Sequence, residues 1–398
     1  MPKTRDLSHL KILDWDFNRE DSRIFIHNFC WYPSRFIPII PAYLIQGLSK
    51  PHDTVLDPFC GAGTTLVEAI KLNRNAIGVD LNPIGIFISQ TKTRILQGEK
   101  VDLKKLITIR DDLYQLYKYE GSSGFLFTNI AQIEIPNHDV NGRWYHQGTL
   151  SMLAYIHRHV ESIPKGITKD IAKLFFISIL MSATGFAENK SYAYYADNVK
   201  PKGKLVFKNA LKMYYHKINN FINEYERIKM DSSNVTCEIY KDDAKNLERI
   251  VKSKVDLIVT SPPYLGVTDY TTGFRLAYLW YKFFASEEDM VLMKEKEIGA
   301  RWKRKHVLSF EKYMEDMNIV LCSMSKILRN RGHMCIVIGE SKKYCNLIVD
   351  ILINKFAKKA NLSLVDAFDR NISKKFFIHP EGGGVQREDI LIFRNDGG

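Results

Sequence analysis

Two short stretches carry side chains whose types and spacing suit chemistry on a nucleoside-like ligand. The first runs Asp57-Pro58-Phe59-Cys60-Gly61-Ala62-Gly63-Thr64-Thr65. Gly61 and Gly63 tolerate positive φ and lack a Cβ, so a ligand can approach their backbone closely. Asp80 follows 23 residues after Asp57, at the end of the next apolar run. A carboxylate there can accept hydrogen bonds from both ribose hydroxyls. Asp57, placed ahead of the loop, would repel a pyrophosphate and attract an ammonium group. The loop reads GAGTTL, with leucine where a dinucleotide fingerprint has its third glycine, and no GxxxxGK[ST] occurs, which excludes a P-loop. The ligand indicated is a nucleoside bearing a cationic amino-acid part, a description that S-adenosyl-L-methionine meets.

The second stretch is Ser261-Pro262-Pro263-Tyr264. Two consecutive prolines donate no backbone hydrogen bond and hold a stiff, extended turn. Such a turn leaves carbonyls pointing outward beside a serine hydroxyl and a flat aromatic ring. An exocyclic amine has its lone pair delocalised into the ring that bears it. Accepting its two protons, on a hydroxyl oxygen and a rigid carbonyl, draws the nitrogen toward sp³ and exposes that lone pair. The amine can then attack a sulfonium methyl directly, with no covalent enzyme intermediate. Tyr264 is placed to stack on a base rotated out of its helix. The bland alternative is a Pro-Pro turn that merely ends a strand.

Both stretches need strand ends to hold them. TVLDPF (Thr54–Phe59) reads as a short β-branched strand, LVEAIKLN as the helix after the glycine loop, and AIGVD (Ala76–Asp80) as a second strand. That is a βαβ unit of a parallel sheet. VDLIVT leads into the proline corner as a buried strand. Residues 84–235 lack strand signals and carry helical periodicity at Leu150–Val160, Ile171–Phe186 and Ala210–Ile228. The tail returns to alternation: helix Phe310–Leu328, strand His333–Gly339, helix Asn346–Ala360, then strands near LSLVDAF and DILIF. The expected division is a catalytic domain of residues 1–83 and 236–398 around a mostly helical insertion at 84–235, a candidate target-recognition and DNA-binding region.

The chain has 398 residues, of which 45% are apolar and 26% charged, as in ordinary globular proteins. A net charge of +12 favours polyanionic partners, because each neutralised phosphate releases counterions. No two of the six cysteines have CxxC spacing, so a zinc ribbon is not expected, and no metal is implied. No apolar signal region opens the sequence, and the most apolar stretch is short for a membrane span. A cytoplasmic setting with no membrane partner is the expectation.

With these pieces in place, the sequence resembles the S-adenosyl-L-methionine-dependent amino-methyltransferases of DNA, the N4-cytosine and N6-adenine enzymes. DPFCGAGTT looks like their cofactor loop, GVDLNP like the segment with the ribose-binding acid, and TSPPY like their catalytic motif. KDDAKNL is similar to the third cofactor motif, where Asp243 would face the cofactor's adenine amine. FCWYPSRFIP (Phe29–Pro38), preceded by His27, resembles the segment that closes over the methionine part. The resemblance implies an α/β, Rossmann-like methyltransferase fold: a seven-stranded, mostly parallel sheet with one antiparallel strand near its edge. It implies His27, Asp57, Phe59, Gly61, Gly63, Thr64, Asp80 and Asp243 as cofactor-binding residues, although an ordinary hydrogen-bonded histidine is the competing reading of His27. Ser261, Pro262, Pro263 and Tyr264 are the implied catalytic residues. Serine at the head of the proline motif resembles the N4-cytosine subgroup without excluding adenine N6.

The expected substrate is a flipped base in double-stranded DNA, in the setting of a restriction-modification system, with a cognate restriction endonuclease as a candidate partner and the oligomeric state open. Two basic segments are candidate contacts to the nucleic acid: the lysine- and tyrosine-rich stretch with Lys200, Lys202 and Lys204, and the run holding Arg301, Lys303 and Arg304. A solvated basic face is the plainer reading of each. An RNA amino-methyltransferase and a non-catalytic nucleic-acid binder are the rival functions.

Overall fold

A computed structural model describes residues 7–17, 25–120, 135–136, 142–185, 205–228, 234–282, 284–300, 303, 309–339, 347–372, 385 and 387–397. Seven strands form one sheet: β1 (Thr54–Asp57), β2 (Asn75–Asp80), β3 (Cys237–Lys241), β4 (Val255–Thr260), β5 (Leu328–Gly339), β6 (Leu362–Asn371) and β7 (Arg387–Asn395). Their spatial order is β3-β2-β1-β4-β5-β7-β6. All neighbours pair in parallel except β7, which runs antiparallel to both β5 and β6. This is the seven-stranded, mostly parallel methyltransferase sheet that the resemblance implies.

The central strands are covered on both faces, which is why they read as continuous apolar runs rather than alternating ones. Every residue of β4 is buried. The pleat sends alternate side chains into two separate cores. Val55, Leu257, Val259, Cys335, Val337, Ile390 and Ile392 face one core. Leu56, Ile258, Met334, Ile336, Ile338, Leu391 and Phe393 face the other.

Helices α1 (Ile39–Leu48), α2 (Thr64–Lys71) and α3 (Pro83–Leu96) contribute to the first core. Helix α3 falls within the 84–235 stretch, yet it packs on α2, β2 and β3 as part of the layer over the sheet. The remaining helices of that stretch are α4 (Leu103–Glu120), α5 (Gln147–Ser162), α6 (Ile167–Leu180) and α7 (Ala210–Ile228), and they pack chiefly on one another. Phe175 of α6 and Phe221 of α7 meet edge-to-face at 5.4 Å, and each meets Phe29 in the same manner. Their apolar interior is continuous with that of α2 and α3. Helix α8 (Ser309–Ile327) covers the opposite face. Among the described residues no helix is long and apolar enough to cross a membrane.

The chain leaves β1 for β2 and β3 on one side, then returns to β4 on the other. The C-terminal ends of β1 and β4 are therefore neighbours, with Leu56 opposite Ile258. Open α/β sheets bind ligands at such a reversal of strand order.

Candidate functional site

The glycine loop hangs from the end of β1. Asp57 is buried, and its Oδ1 accepts from the Phe59 amide at 3.0 Å and the Thr260 hydroxyl at 2.7 Å. Gly63 has φ of 76°, and its amide closes the turn on the Cys60 carbonyl at 2.7 Å. A Cβ on Gly63 would lie 2.6 Å from Ser89 Cβ, so α3 packs against the loop only because position 63 has no side chain. Gly61 has φ of 47° and donates its amide to Asp80 Oδ2 at 2.8 Å. A Cβ on Gly61 would meet the Tyr32 ring at 2.8 Å. Helix α2 starts at Thr64 with no side-chain cap, so its first amides remain for a ligand.

Asp80 ends β2, and its Oδ1 accepts from the Asn82 amide at 2.8 Å. Asn82 in turn caps α3, accepting from the Ile84 amide at 2.9 Å and the Tyr278 hydroxyl at 3.0 Å. Burial pushes the carboxyl groups of Asp57 and Asp80 up to about 6, against the hydrogen bonds that stabilise their ionised forms. Burial also raises the Cys60 thiol well above its ordinary value, with Asp80 and Asp57 adding to the effect, so it remains a thiol.

The proline corner follows β4. The Ser261 and Tyr264 hydroxyl oxygens lie 3.1 Å apart. Tyr264 donates to Glu388 Oε1 at 2.8 Å, and Glu388 Oε2 accepts from Arg370 Nη1 at 2.8 Å. Tyr313 donates to the Pro263 carbonyl at 3.1 Å. The Pro262 carbonyl accepts no hydrogen bond from the described residues.

Asp57, Phe59, Gly61, Thr64, Asp80, Asp243, Ser261 and Pro263 line one cavity together. Asp243 Oδ1 accepts from the Lys245 amide at 2.9 Å. Gly63 and Pro262 flank this cavity without lining it, and Tyr264 stands at its edge with its hydroxyl tied back to Glu388. His27 is set apart: it is fully buried, does not line the cavity, and donates from Nε2 to Glu68 Oε1 of α2 at 2.7 Å. Burial lowers its pKa to about 4, so the ring is neutral. It braces α2 from behind, as the competing reading of this histidine holds, and the structure does not place it with the cofactor-binding set.

Of the six basic residues expected to meet nucleic acid, Lys200, Lys202, Lys204, Arg301 and Arg304 lie outside the described residues. Lys303 donates to the Glu297 carbonyl at 2.8 Å. Tyr214, from the tyrosine-rich stretch, is fully buried and donates to the Ala172 carbonyl at 3.0 Å, so it serves the helical core.

Sequence reasoning passed over several residues of this region. Tyr32 packs its ring against the glycine loop and meets Tyr270 and Phe274 at 6.0 and 5.5 Å. Ser34 and Thr268 share a 2.6 Å hydrogen bond, which further fastens the 29–38 segment to the loop after the proline corner. Glu297 lines the cavity at 7% exposure. Its Oε1 accepts from the Thr271 amide at 2.5 Å, Oε2 is buried with no partner, and burial pushes the carboxyl up to about 7. Nothing in KEKEIGARW distinguishes Glu297 from its charged neighbours. Lys92 is fully buried on α3 and donates to the Ala62 carbonyl at 3.0 Å, an anchor for the glycine loop that a helix-interior lysine does not advertise.

The comparisons with known proteins bear on this arrangement. The family described as DNA methylase matches residues 18–88, the segment that holds the glycine loop and Asp80. The type II methyltransferase M.MjaII of Methanocaldococcus jannaschii is 22% identical over 90% of this chain and 80% of its own length. M.MvaI of Kocuria varians is 22% identical over 90% of this chain and 87% of its own. M.BsoBI of Geobacillus stearothermophilus is 27% identical over 68% of this chain, which spans 55% of that relative.

The chain is similar to the DNA amino-methyltransferases, to the family model over its glycine-loop segment and to the type II methyltransferases over most of its length.

This methyltransferase uses S-adenosyl-L-methionine as its cofactor, and its cavity has the features that molecule requires. The two side-chain-free positions let Tyr32 and α3 pack closely on the loop, and Gly61 itself lines the cavity. The uncapped start of α2 offers amides to a carboxylate. The donor set contains buried carboxylates and no cluster of basic groups, which suits a cationic nucleoside and disfavours a polyphosphate.

Proposed function

We propose that this chain methylates the exocyclic amine of a flipped base in double-stranded DNA, and that the base is cytosine, modified at N4. The observation that carries the proposal is the direct bond between the two strand ends, Thr260 Oγ1 to Asp57 Oδ1 at 2.7 Å. It sets the cofactor loop and the proline corner side by side on one cavity.

In this reading Asp57 attracts the cofactor's ammonium group, the amides of the first turn of α2 hold its carboxylate end, Gly61 and Gly63 shape the loop around it, Asp80 accepts from the ribose hydroxyls, and Phe59 and Asp243 flank its adenine. When bound, the cofactor supplies an electrophilic methyl group on a sulfonium. Ser261 Oγ and the Pro262 carbonyl accept the two protons of the target amine and localise its lone pair. Pro263 is fixed by Tyr313, so the corner keeps its shape during turnover. Tyr264 stacks on the target base with its ring held by the bond to Glu388. The protein contributes positioning and polarisation rather than a covalent intermediate.

Cytosine is favoured because Ser261 is a neutral hydroxyl, a weaker acceptor than the Asp or Asn more common in adenine enzymes. The stretch 84–235 and the basic residues Lys200, Lys202, Lys204, Arg301, Lys303 and Arg304 are assigned to DNA contact, supported by the +12 net charge. A cognate endonuclease fits the type II relatives. The test is transfer of tritiated methyl from S-adenosyl-L-methionine to duplex DNA and, in parallel, to tRNA. Incorporation into duplex DNA, followed by sequencing that distinguishes N4-methylcytosine from N6-methyladenine, is the expected result. Label found only in RNA, or only on adenine, overturns the corresponding part of the assignment.

A further inference from the structure

An amine that accepts a methyl group becomes positively charged and must lose a proton, and a serine hydroxyl alone is a poor base for it. Behind Ser261 stands a chain of side chains that runs from the proline corner to β7 and β6. Tyr264 Oη lies 3.1 Å from Ser261 Oγ and 2.8 Å from Glu388 Oε1, and Arg370 Nη1 lies 2.8 Å from Glu388 Oε2. Arg370 is 2% exposed, and the Glu388 side chain 14%. Arg370 and Glu388 thus form a close, charge-assisted ion pair.

The donor directions follow from counting protons. A carboxylate only accepts, so the single phenolic proton of Tyr264 points at Glu388. Tyr264 must then accept in its other bond, and Ser261 must donate. The serine proton is turned away from the cavity, leaving only lone pairs on Oγ toward the incoming amine. The Tyr264 phenol stays protonated, because burial and the facing Glu388 charge raise its pKa well above the ordinary value.

We propose that Ser261, Tyr264 and Glu388 form a proton relay for methyl transfer, with Glu388 the terminal acceptor and Arg370 its positioning partner. The relay rests on the amine-methylation reading above. As the new N–C bond forms and the C–S bond breaks with its electron pair left on sulfur, the nitrogen becomes cationic. Its proton moves to Ser261 Oγ, the serine proton to Tyr264 Oη, and the tyrosine proton to Glu388 Oε1. Serine and tyrosine end unchanged, the amine is neutral, and Glu388 returns its proton to solvent through its exposed edge.

The experiment has two arms. In the cofactor-free protein, 3-fluorotyrosine at position 264 is titrated by ¹⁹F NMR. Glu388→Gln removes the facing charge and should let the phenol ionise at lower pH; an unmoved titration overturns the relay. In the second arm, single-turnover methylation of duplex DNA is measured for Glu388→Gln, Tyr264→Phe and the double variant. Each single variant should lose roughly 10²-fold in rate, the double variant no more than either, with DNA and S-adenosylhomocysteine affinities within about twofold of wild type. Full-rate Glu388→Gln overturns the relay while leaving the methylation reading intact. A wild-type chain that methylates no amine overturns that reading and the relay with it. Should Glu388→Gln misfold, Tyr264→Phe carries the rate arm, and its full-rate turnover overturns the relay equally.

Discussion

Thr260, the last residue of β4, donates its hydroxyl to Asp57, the last residue of β1, across 2.7 Å. One hydrogen bond thus joins the strand that carries the glycine loop to the strand that carries the proline corner. Replacing it tests how far the two loops depend on each other. Thr260→Val keeps the shape and removes the donor, leaving Asp57 with fewer groups to stabilise its charge. The expected loss of folding stability is about 1–3 kcal/mol, read by urea denaturation. Affinity for S-adenosylhomocysteine at pH 7 should also fall, because less of Asp57 is ionised.

Ser261→Ala should separate binding from turnover. The rate of methyl transfer is expected to fall roughly 10²–10³-fold, while calorimetric affinity for S-adenosylhomocysteine stays within about twofold of wild type. An equal loss of cofactor affinity would contradict the role given to Ser261.

Cofactor binding should depend on pH in one direction. Asp57 and Asp80 sit near 6 in the cofactor-free protein, and a cationic ligand with ribose hydroxyls favours both as carboxylates. Affinity should therefore be level well above pH 6 and fall as the pH drops through it. Binding below that point should release protons, which calorimetry in buffers of different ionisation enthalpy detects.

Glu297 should leave its mark on stability. Its folded value of about 7 stands above the ordinary 4.5, so the folded state holds the extra proton between those limits. The resulting stabilisation is complete below about pH 4.5 and is lost as the pH rises through 7. Glu297→Gln, which cannot ionise, should gain relative to wild type as the pH goes from 5 to 8. The expected gain is on the order of 2–3 kcal/mol, followed as the difference in Tm at each pH. A difference that does not change with pH would show that the buried carboxyl is not the cause.

Gly63→Ala combines a left-handed backbone with a methyl group 2.6 Å from Ser89 Cβ. We expect a stability loss of about 1–3 kcal/mol and weaker cofactor binding, because α3 and the loop can no longer close together. Circular dichroism melts and calorimetry on the same sample check both.

Much of the architecture was readable along the chain. The apolar runs around Leu56, Val79, Ile258 and Val337 are local, and each becomes a strand close to where its pattern places it. Gly61, Gly63 and Asp80 were readable because tight turns and strand ends restrict residue type at fixed spacing. The structure shows Gly61 and Asp80 together with Asp57 and Ser261 on one cavity, where strand order alone had to bring them.

His27 illustrates the opposite case. Its position beside a recognisable segment suggested the cofactor, and packing turned it toward Glu68 on the far side of α2. Proximity in sequence does not fix which face of a neighbour a side chain meets. Tyr264 was visible as an aromatic ring, but the use of its hydroxyl depends on Glu388, 124 residues away. That acid and Arg370 meet because β7 runs antiparallel beside β6, a pairing that no local pattern specifies. By itself the sequence determined the strands, the glycine turn and the stiff corner, since each is set by the steric limits of a few adjacent residues. Only the tertiary structure decided which carboxylates stand bare, which are paired and which lose their charge, since desolvation and hydrogen bonding are properties of surroundings assembled from the whole chain.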